Sequence, residues 1–353
     1  MPIRDGLKGV RGLLRRFTTP LLPDDYTHLI NPLWSAREFR GKIISVEHPT
    51  EDTVSLAIEP GWGVPVEFNA GQFIGIGVAI DGRFTWRSYS LTCAPTFIQG
   101  EIFTVTVRAV QDGTLSNHLL AYAKPGQVVR LAAPAGEFHL SNPLPEKMIF
   151  AAAGVGITPI ISMLRTIEQT DAAALKRCVL FNTIHMQEHL LFGADIARME
   201  AAGLRVINRI SSVDGRLSST DFDKFVEKPQ GSVAYVCGPT SFIDMVKAWG
   251  EANEVDVRSE TFVLNRESDA QGGHISFGDR AEADFDGATT LLEAGEELGV
   301  HLPYGCRMGI CQTCVCELED GYARDLRTGE TLGPGERVRT CVSVAAGDCR
   351  IKA

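Results

Sequence analysis

Short apolar runs broken by Gly, Pro and Asp fill the chain between residues 41 and 141. Each run is long enough for one strand, and the turn residues recur at regular spacing. We predict strands at 41–48, 54–60, 72–80, 85–92, 102–108 and 127–134, with one helix at 115–123. Short strands at this regular spacing are typical of a small antiparallel β-barrel.

The pattern changes after residue 145, where apolar runs begin to alternate with segments of helical periodicity. Buried strands are predicted at 147–152, 177–183, 204–209 and 232–237. The helices between them are predicted to begin near Pro159, Gln187, Ser219 and Thr240. This alternation predicts a parallel sheet covered by helices, so the fold class is multidomain, part β and part α/β.

These patterns divide the chain into five segments. We predict an N-terminal extension at 1–38, the barrel at 39–142, the α/β domain at 143–258, a polar linker at 259–273 and a compact acidic domain at 274–353. A chain of 353 residues has the length for two to three such domains.

The first 20 residues differ from the rest because they hold five basic residues and one acidic residue. If this segment is helical, its apolar residues form one stripe beside the basic ones, namely Ile3, Leu7, Val10, Leu14 and Phe17. Such a pattern is typical of a helix that lies on an anionic membrane surface. The alternative, equally open from the sequence, is an arm that packs or docks on protein.

Charge and composition exclude several classes of protein. The net charge of −10 provides no positive field for nucleic acid. The longest uncharged stretch, residues 148–164, contains Gly and Pro and is shorter than the about 20 apolar residues that span a bilayer. No export signal opens the chain, so we expect a cytoplasmic protein, with peripheral contact at the inner face of the cell membrane if the basic segment binds lipid.

Four cysteines near the C-terminus have a recognisable spacing. Cys306, Cys311 and Cys314 form C-x4-C-x2-C, and Cys341 follows at a distance. This is the plant-type [2Fe-2S] pattern, in which each iron takes two thiolates. The alternatives are a zinc site or a set of unrelated thiols, although zinc motifs more often pair C-x2-C units. Cys316 and Cys349 fall outside the pattern and are interpreted as packed thiols.

A second motif, Arg87-Ser88-Tyr89-Ser90, ends a predicted barrel strand. A flavin needs a cation for its phosphate, an aromatic face for its ring and a hydroxyl near N5, and alternate residues of a strand present such groups on one side. The segment Gly113-Thr114-Leu115-Ser116 opens the helix of the barrel domain and offers backbone N–H groups to a phosphate.

A third motif follows the first buried strand of the α/β domain. Gly154 and Gly156 allow a diphosphate to approach the backbone, Thr158 is predicted to cap the next helix, and Pro159 to occupy its first position. Its companion is Cys237-Gly238-Pro239, at the end of the last predicted strand of that domain, where ligands of parallel sheets gather.

Together these motifs resemble the ferredoxin-NADP reductase superfamily, and more narrowly its three-domain oxygenase and desaturase reductases, over residues 39–353. The resemblance implies a flavin barrel, an NAD(P)H domain and a β-grasp-like [2Fe-2S] domain. It implies that Arg87 binds the flavin phosphate, that Tyr89 stacks on the isoalloxazine and that Ser90 lies near N5. It places Val107 and Arg108 beside the cofactor, and Gly113, Leu115 and Ser116 at the flavin diphosphate. Cys237, beside the nicotinamide, and Ser90 are the implied catalytic residues.

Two departures concern the choice of cofactor. Many relatives have an arginine near the end of the second nucleotide-domain strand, where this chain has His185. Arg209 follows the third predicted strand, where relatives that use NADPH often hold the 2′-phosphate. NADPH is therefore slightly favoured, with NADH as the alternative. FAD is favoured over FMN because the turn from Gly113 to Ser116 is present.

The resemblance implies that hydride passes from NAD(P)H to the flavin and that single electrons leave through the cluster to a partner oxygenase. The segment Asn31-Pro32-Leu33-Trp34 resembles reductases of membrane-bound acyl desaturases, and the basic N-terminal segment suits such a partner. A soluble Rieske oxygenase is the main alternative. A redox sensor and a zinc-containing binding module are further alternatives, but either one would leave the flavin and nucleotide motifs without a function.

Overall fold

The computed structural model describes residues 31–35, 38–80, 83–95, 102–111, 113–262, 270–304, 309 and 312–353. The basic segment at 1–20 and two of the predicted cluster ligands, Cys306 and Cys311, lie outside these residues. The chain divides into two compact units: the first ends at Phe262, and the second comprises the rest of the chain together with Trp86–Ser88.

An antiparallel sheet of six strands forms the first part of the chain, with the strand order β4-β3-β6-β1-β2-β5. The strands are β1 (Phe39–Thr50), β2 (Thr53–Pro60), β3 (Phe73–Ile80), β4 (Arg83–Ser90), β5 (Phe103–Arg108) and β6 (Val128–Leu131). Helix α1 (Thr114–Tyr122) follows β5 and buries Leu115 and Leu119 in the same apolar core as Ile43, Leu56 and Val105. The predicted antiparallel barrel domain is confirmed, and each predicted element lies within a few residues of the observed one.

A parallel sheet forms the second part, with the strand order β11-β10-β7-β8-β9. Its strands are β7 (Met148–Ala153), β8 (Cys178–Ile184), β9 (Arg205–Ile210), β10 (Val233–Cys237) and β11 (Asp256–Glu260). Its helices are α2 (Ile157–Thr170), α3 (Gly193–Ala201), α4 (Ser211–Asp214), α5 (Ser219–Phe225) and α6 (Thr240–Ala252). The predicted α/β class is confirmed.

Both faces of this sheet are covered, which explains the continuous apolar runs of its strands. Alternate residues of β7 enter different clusters: Phe150 packs with the cluster that contains α2, whereas Ile149 packs with the cluster that contains Trp249 of α6. Strand β11 was not predicted, because its sequence is mostly polar and it lies at the sheet edge. It extends two residues past the predicted domain end at 258.

The second unit is a mixed sheet with the strand order β13-β12-β17-β14-β15, and β16 pairs with β14. Its elements are β12 (Gly273–Phe277), β13 (Ala281–Phe285), α7 (Leu291–Glu297), β14 (Val315–Asp325), β15 (Thr331–Leu332), β16 (Arg337–Arg339) and β17 (Ser343–Ile351). A capping box between Thr290 and Glu293 starts α7, whose Leu291 and Leu292 enter the core of this unit.

No helix among the described residues has both the length and the apolar character that crossing a membrane requires.

Candidate functional site

The predicted flavin residues lie on β4, on β5 and at the start of α1 in the barrel domain; just after β4, Leu91 pairs with Val105 of β5. Arg87, Ser88, Tyr89 and Ser90 are the last four residues of β4, Val107 and Arg108 end β5, and Gly113, Leu115 and Ser116 surround the start of α1. Ser90 is 5% exposed, and its hydroxyl oxygen has no hydrogen-bond partner among the described residues. A buried hydroxyl without a partner costs free energy, so this atom fits a site that a polar ligand atom completes.

The start of α1 has the form of an anion site. Gly113 occupies the N-cap position, where no side chain accepts a hydrogen bond from the first helical turn. The Ser116 hydroxyl faces back toward the preceding turn and accepts from the Val110 backbone N–H at 3.4 Å. A side chain at Gly113 would collide with this Ser116 hydroxyl, so the close turn requires glycine. The first N–H groups of α1 remain available to a phosphate.

Arg108 connects the barrel side of the site with the nucleotide side. Its Nε donates to Asp52 Oδ2 at 2.6 Å. One of its terminal nitrogens lies 3.6 Å from the position that a Cβ atom of Gly154 would occupy. Burial alone would raise the pKa of Asp52, but hydrogen bonds from Thr50 and Arg108 outweigh it and hold the pKa below its ordinary value. A charged Asp52 therefore orients the Arg108 guanidinium beside the glycine turn.

The two predicted nucleotide motifs meet in the structure. Gly154 has a φ of +57°, a conformation that glycine adopts without strain. A methyl group on Gly156 would lie 2.6 Å from the carbonyl carbon of Cys237 and 3.0 Å from the backbone nitrogen of Gly238. The turn after β7 therefore touches the turn after β10, which carries Pro239. This arrangement leaves backbone free at the carboxyl edge of the sheet, where dinucleotides bind.

Two details of the predicted helix start were wrong. Thr158 does not cap α2: its hydroxyl donates to the Val155 carbonyl at 2.9 Å, and Gly156 occupies the N-cap position without a side-chain hydrogen bond. Pro159 is the third residue of α2, not the first, because a short 3₁₀ turn leads directly into Ile157. Proline is still tolerated there, since the first turn of a helix needs no N–H donors from these residues.

Cys237 is fully buried, and burial raises the pKa of its thiol well above the usual value, with a further contribution from the Glu260 carboxylate. The thiol is therefore neutral at physiological pH. Glu260 ends β11 directly beside Cys237 in the parallel register, and none of the sequence motifs includes it. The signal that could have found it is a carboxylate that follows a strand-length segment after the last helix of the domain.

Arg209 lies within β9 as its next-to-last residue, not after the strand. Its guanidinium donates to the Gly215 carbonyl at 3.2 Å and approaches Asp221 at 3.4 Å. On the neighbouring strand end, Nδ1 of His185 lies 3.4 Å from the Ser211 hydroxyl oxygen. The two basic residues that the sequence singled out thus lie at the ends of adjacent strands, β8 and β9.

The two predicted cluster ligands that the structure describes, Cys314 and Cys341, lie together in the second unit. The sulfurs of Cys314 and Cys341 are 3.1 Å apart, both residues are buried, and the Gly309 N–H donates to Cys341 Sγ at 3.3 Å. Two buried, facing sulfurs with a backbone donor fit metal-bound thiolates. Arg339 donates to the Gly309 carbonyl at 2.9 Å and thereby fixes this loop residue.

The two cysteines outside the spacing pattern share the apolar core of the second unit with Cys314 and Cys341. Cys316 and Cys349 enter the apolar core of the second unit, and burial raises the pKa of both thiols, to about 11 for Cys349. They are packed thiols, as the sequence predicted.

Comparison with known proteins then decides the family. Residues 50–140 match the family "Oxidoreductase FAD-binding domain", residues 150–248 "Oxidoreductase NAD-binding domain" and residues 276–346 "2Fe-2S iron-sulfur cluster binding domain". A protein of Mycobacterium tuberculosis named NADPH oxidoreductase is 44% identical, over 98% of this chain and 92% of that protein. The chain belongs to the ferredoxin-NADP reductase superfamily. This reductase is an oxidoreductase with FAD, a [2Fe-2S] cluster and a nicotinamide cosubstrate.

More distant relatives agree with the arrangement of the reductase. The glycine betaine monooxygenase reductase subunit of Chromohalobacter salexigens is 24% identical over 80% of this chain and 85% of its own. The solved structure of phthalate dioxygenase reductase aligns with a TM-score of 0.63, at 23% identity, over 89% of this chain and 97% of that one. The three-domain fold is thereby confirmed. The match to the 2Fe-2S family also decides against the zinc-binding module considered from the sequence.

Proposed function

We propose that the reductase takes hydride from NADPH onto FAD and passes single electrons through its [2Fe-2S] cluster to a membrane-bound fatty acyl desaturase or hydroxylase. The contact between Gly156 and the Cys237–Gly238 turn supports the proposed hydride transfer from NADPH, because it brings the two predicted nucleotide motifs together. Bound FAD accepts an electron pair and releases electrons singly, which a nicotinamide cannot do.

In this proposal the described residues bind and orient the two cofactors and exclude water from the site between them. Tyr89 packs against the barrel core and presents a face for the flavin ring, and the buried Ser90 hydroxyl donates toward the flavin. Arg108, oriented by Asp52, neutralises phosphate charge where the flavin and nucleotide sides meet. The buried, neutral Cys237 thiol excludes water from the nicotinamide without adding a charge.

NADPH is the proposed donor. The M. tuberculosis relative is named an NADPH oxidoreductase, and Arg209 and His185 place basic groups at neighbouring strand ends. Steady-state kinetics with NADPH and NADH at equal concentrations test this choice. A higher kcat/KM for NADH would contradict it.

A pair of cysteine variants tests the order of electron transfer. Cys314→Ser should retain NADPH-dependent flavin bleaching but lose reduction of a one-electron protein acceptor such as cytochrome c, because one cluster ligand is removed. Cys316→Ser is the matched control, since Cys316 lies two residues away in the core and is not a predicted ligand. Equal cytochrome c reduction by Cys314→Ser and the wild type would remove the cluster from the proposed route.

The membrane-bound partner is supported by the N-terminal part of the chain. The basic, amphipathic pattern of residues 1–20 suits an anionic membrane surface. Just after it, Leu33 is buried and Arg40 donates to the Pro32 carbonyl at 3.1 Å. Residues 31–35 thus pack on the barrel domain.

Co-sedimentation with vesicles tests the membrane proposal. The full chain should sediment with anionic vesicles but not with neutral ones, and a chain without residues 1–20 should remain in solution with both. Equal, weak binding of the two chains to anionic vesicles would count against a membrane-bound acceptor. It would favour the second candidate, a soluble Rieske oxygenase, which the glycine betaine monooxygenase reductase relatives support.

A further inference from the structure

Helix α2 joins the nucleotide turn to the flavin strand through two side chains that no motif includes. The Ser162 hydroxyl donates to the Cys93 carbonyl at 2.6 Å, and Arg165 Nη1 donates to the Thr92 carbonyl at 2.7 Å. Ser162 and Arg165 are three residues apart on the helix and therefore share one face. The carbonyls that they bind belong to consecutive residues just after β4 ends at Ser90.

The flavin end of this connection is firmly held in the barrel domain. The Leu91 N–H donates to the Gln72 carbonyl at 2.9 Å, and the Thr92 N–H donates to the Thr104 carbonyl at 2.8 Å. Because the Thr92 N–H bonds to the barrel and its carbonyl bonds to Arg165, this one peptide segment is fixed from both sides. A shift of α2 would therefore pull directly on the end of the strand that carries Tyr89 and Ser90.

The nucleotide end of the connection is also fixed. Helix α2 begins at Ile157, immediately after the turn from Gly154 to Gly156. Arg165 lies eight residues further on, about 12 Å along the helix axis. The helix is rigid over this length, so the hydrogen bonds of Ser162 and Arg165 link the position of the glycine turn to that of the flavin strand.

A second helix holds Arg165 in place. Its Nη2 donates to Asp195 Oδ2 of α3 at 2.6 Å, and Asp195 Oδ1 accepts from Arg198 at 2.6 Å. Burial alone would raise the pKa of Asp195, but the hydrogen bonds from Arg165 and Arg198 outweigh it and keep the pKa below its ordinary value. Asp195 is thus charged at neutral pH. It binds Nη2 of Arg165, while Nη1 donates to the Thr92 carbonyl.

We propose that Ser162 and Arg165 are positioning residues for hydride transfer, which set the distance between the flavin and the nicotinamide. The inference rests on the proposed function, because it takes the flavin at β4 and the nucleotide at the glycine turn. Hydride transfer needs reacting atoms about 3–3.5 Å apart, and a displacement of about 1 Å can lower the rate about 100-fold. The transfer oxidises NADPH to NADP⁺ and reduces the flavin by two electrons.

Arg165→Met and Arg198→Met form the matched pair that tests the proposal. Both changes remove one cation from Asp195, but only the first also removes a hydrogen bond to the barrel domain. We expect Arg165→Met to lower the rate constant of flavin reduction by NADPH about 10-fold to 100-fold in stopped-flow measurements. FAD content and the KM for NADPH should change little. Arg198→Met should remain within about twofold of the wild type in all three.

Two further readouts separate positioning from stability. The long-wavelength absorbance of NADP⁺ stacked on reduced flavin should weaken in Arg165→Met, because it reports ring overlap, and a merely structural role would not alter it. Ser162→Ala removes one hydroxyl from a helix that favours alanine, so it should fold and should slow flavin reduction by a smaller factor. It supplies the kinetic result if Arg165→Met fails to fold.

The outcomes are distinct. If both Arg165→Met and Ser162→Ala reduce their flavin at the wild-type rate, the two residues only stabilise the domain junction and the inference is wrong. If wild-type flavin is not reduced by NADPH, the proposed function fails first.

Discussion

Replacing Gly156 by alanine tests whether the nucleotide site depends on close contact between two turns. Gly156 has φ −61° and ψ −10°, which any residue adopts, so glycine is required there only by space. A methyl group would lie 2.6 Å from the Cys237 carbonyl carbon and 3.0 Å from the Gly238 nitrogen. Carbon atoms pack at about 3.5–4.0 Å, so the two turns must separate by about 1 Å.

The neighbours of this methyl group are backbone atoms, which cannot rotate away as a flexible side chain would. Overpacking of this kind costs about 1–3 kcal/mol. A separation of about 1 Å at the cosubstrate site can lower the rate of hydride transfer about 100-fold. We therefore expect Gly156→Ala to lower the unfolding midpoint, to raise the KM for NADPH and to slow flavin reduction, while FAD content stays unchanged.

The measurements are thermal unfolding, FAD absorbance and steady-state kinetics with ferricyanide as acceptor. Gly231→Ala is the control, because Gly231 lies in the turn before β10, has a φ of +72° and has no neighbour within 4 Å of a Cβ. It should lose about 1–2 kcal/mol from backbone strain and keep its KM. A Gly156→Ala protein with wild-type KM and flavin reduction would refute the contact as the reason for glycine.

Two further predictions concern ion pairs. Arg339→Gln should lower the free energy of unfolding by about 3 kcal/mol, the lower end for a broken buried ion pair, because Asp325 is 2% exposed and Arg339 is 28% exposed. Chemical unfolding and iron content measure this loss. The control, Arg350→Gln on the exposed surface, should change neither quantity. Asp52→Asn should lower the unfolding midpoint at neutral pH, and its difference from the wild type should shrink as the pH falls through the depressed pKa of Asp52, where the wild-type carboxylate also becomes neutral. FAD fluorescence on unfolding follows this difference, and a gap that persists at low pH would contradict the charge argument.

The order and class of the domains and the local chemistry of each motif could be predicted from the amino-acid sequence alone. Strand periodicity, turn glycines and cysteine spacing are properties of neighbouring residues, so they can be read without a structure. The candidate cofactor residues could be proposed from the sequence because each motif is a short segment of strand and turn. Strand β11 and Glu260 were missed because a polar edge strand has no apolar alternation.

Which of these segments come into contact could not be predicted without the folded structure. Thr158 was expected to cap a helix but bonds to Val155, because the preceding 3₁₀ turn supplies its own carbonyl. The contact between Gly156 and Cys237 and the hydrogen bond from Arg165 to the Thr92 carbonyl join residues far apart in the chain. Such contacts depend on how sheets and helices pack as whole elements, and hydrogen-bond partners are fixed only when that packing brings donor and acceptor within about 3 Å.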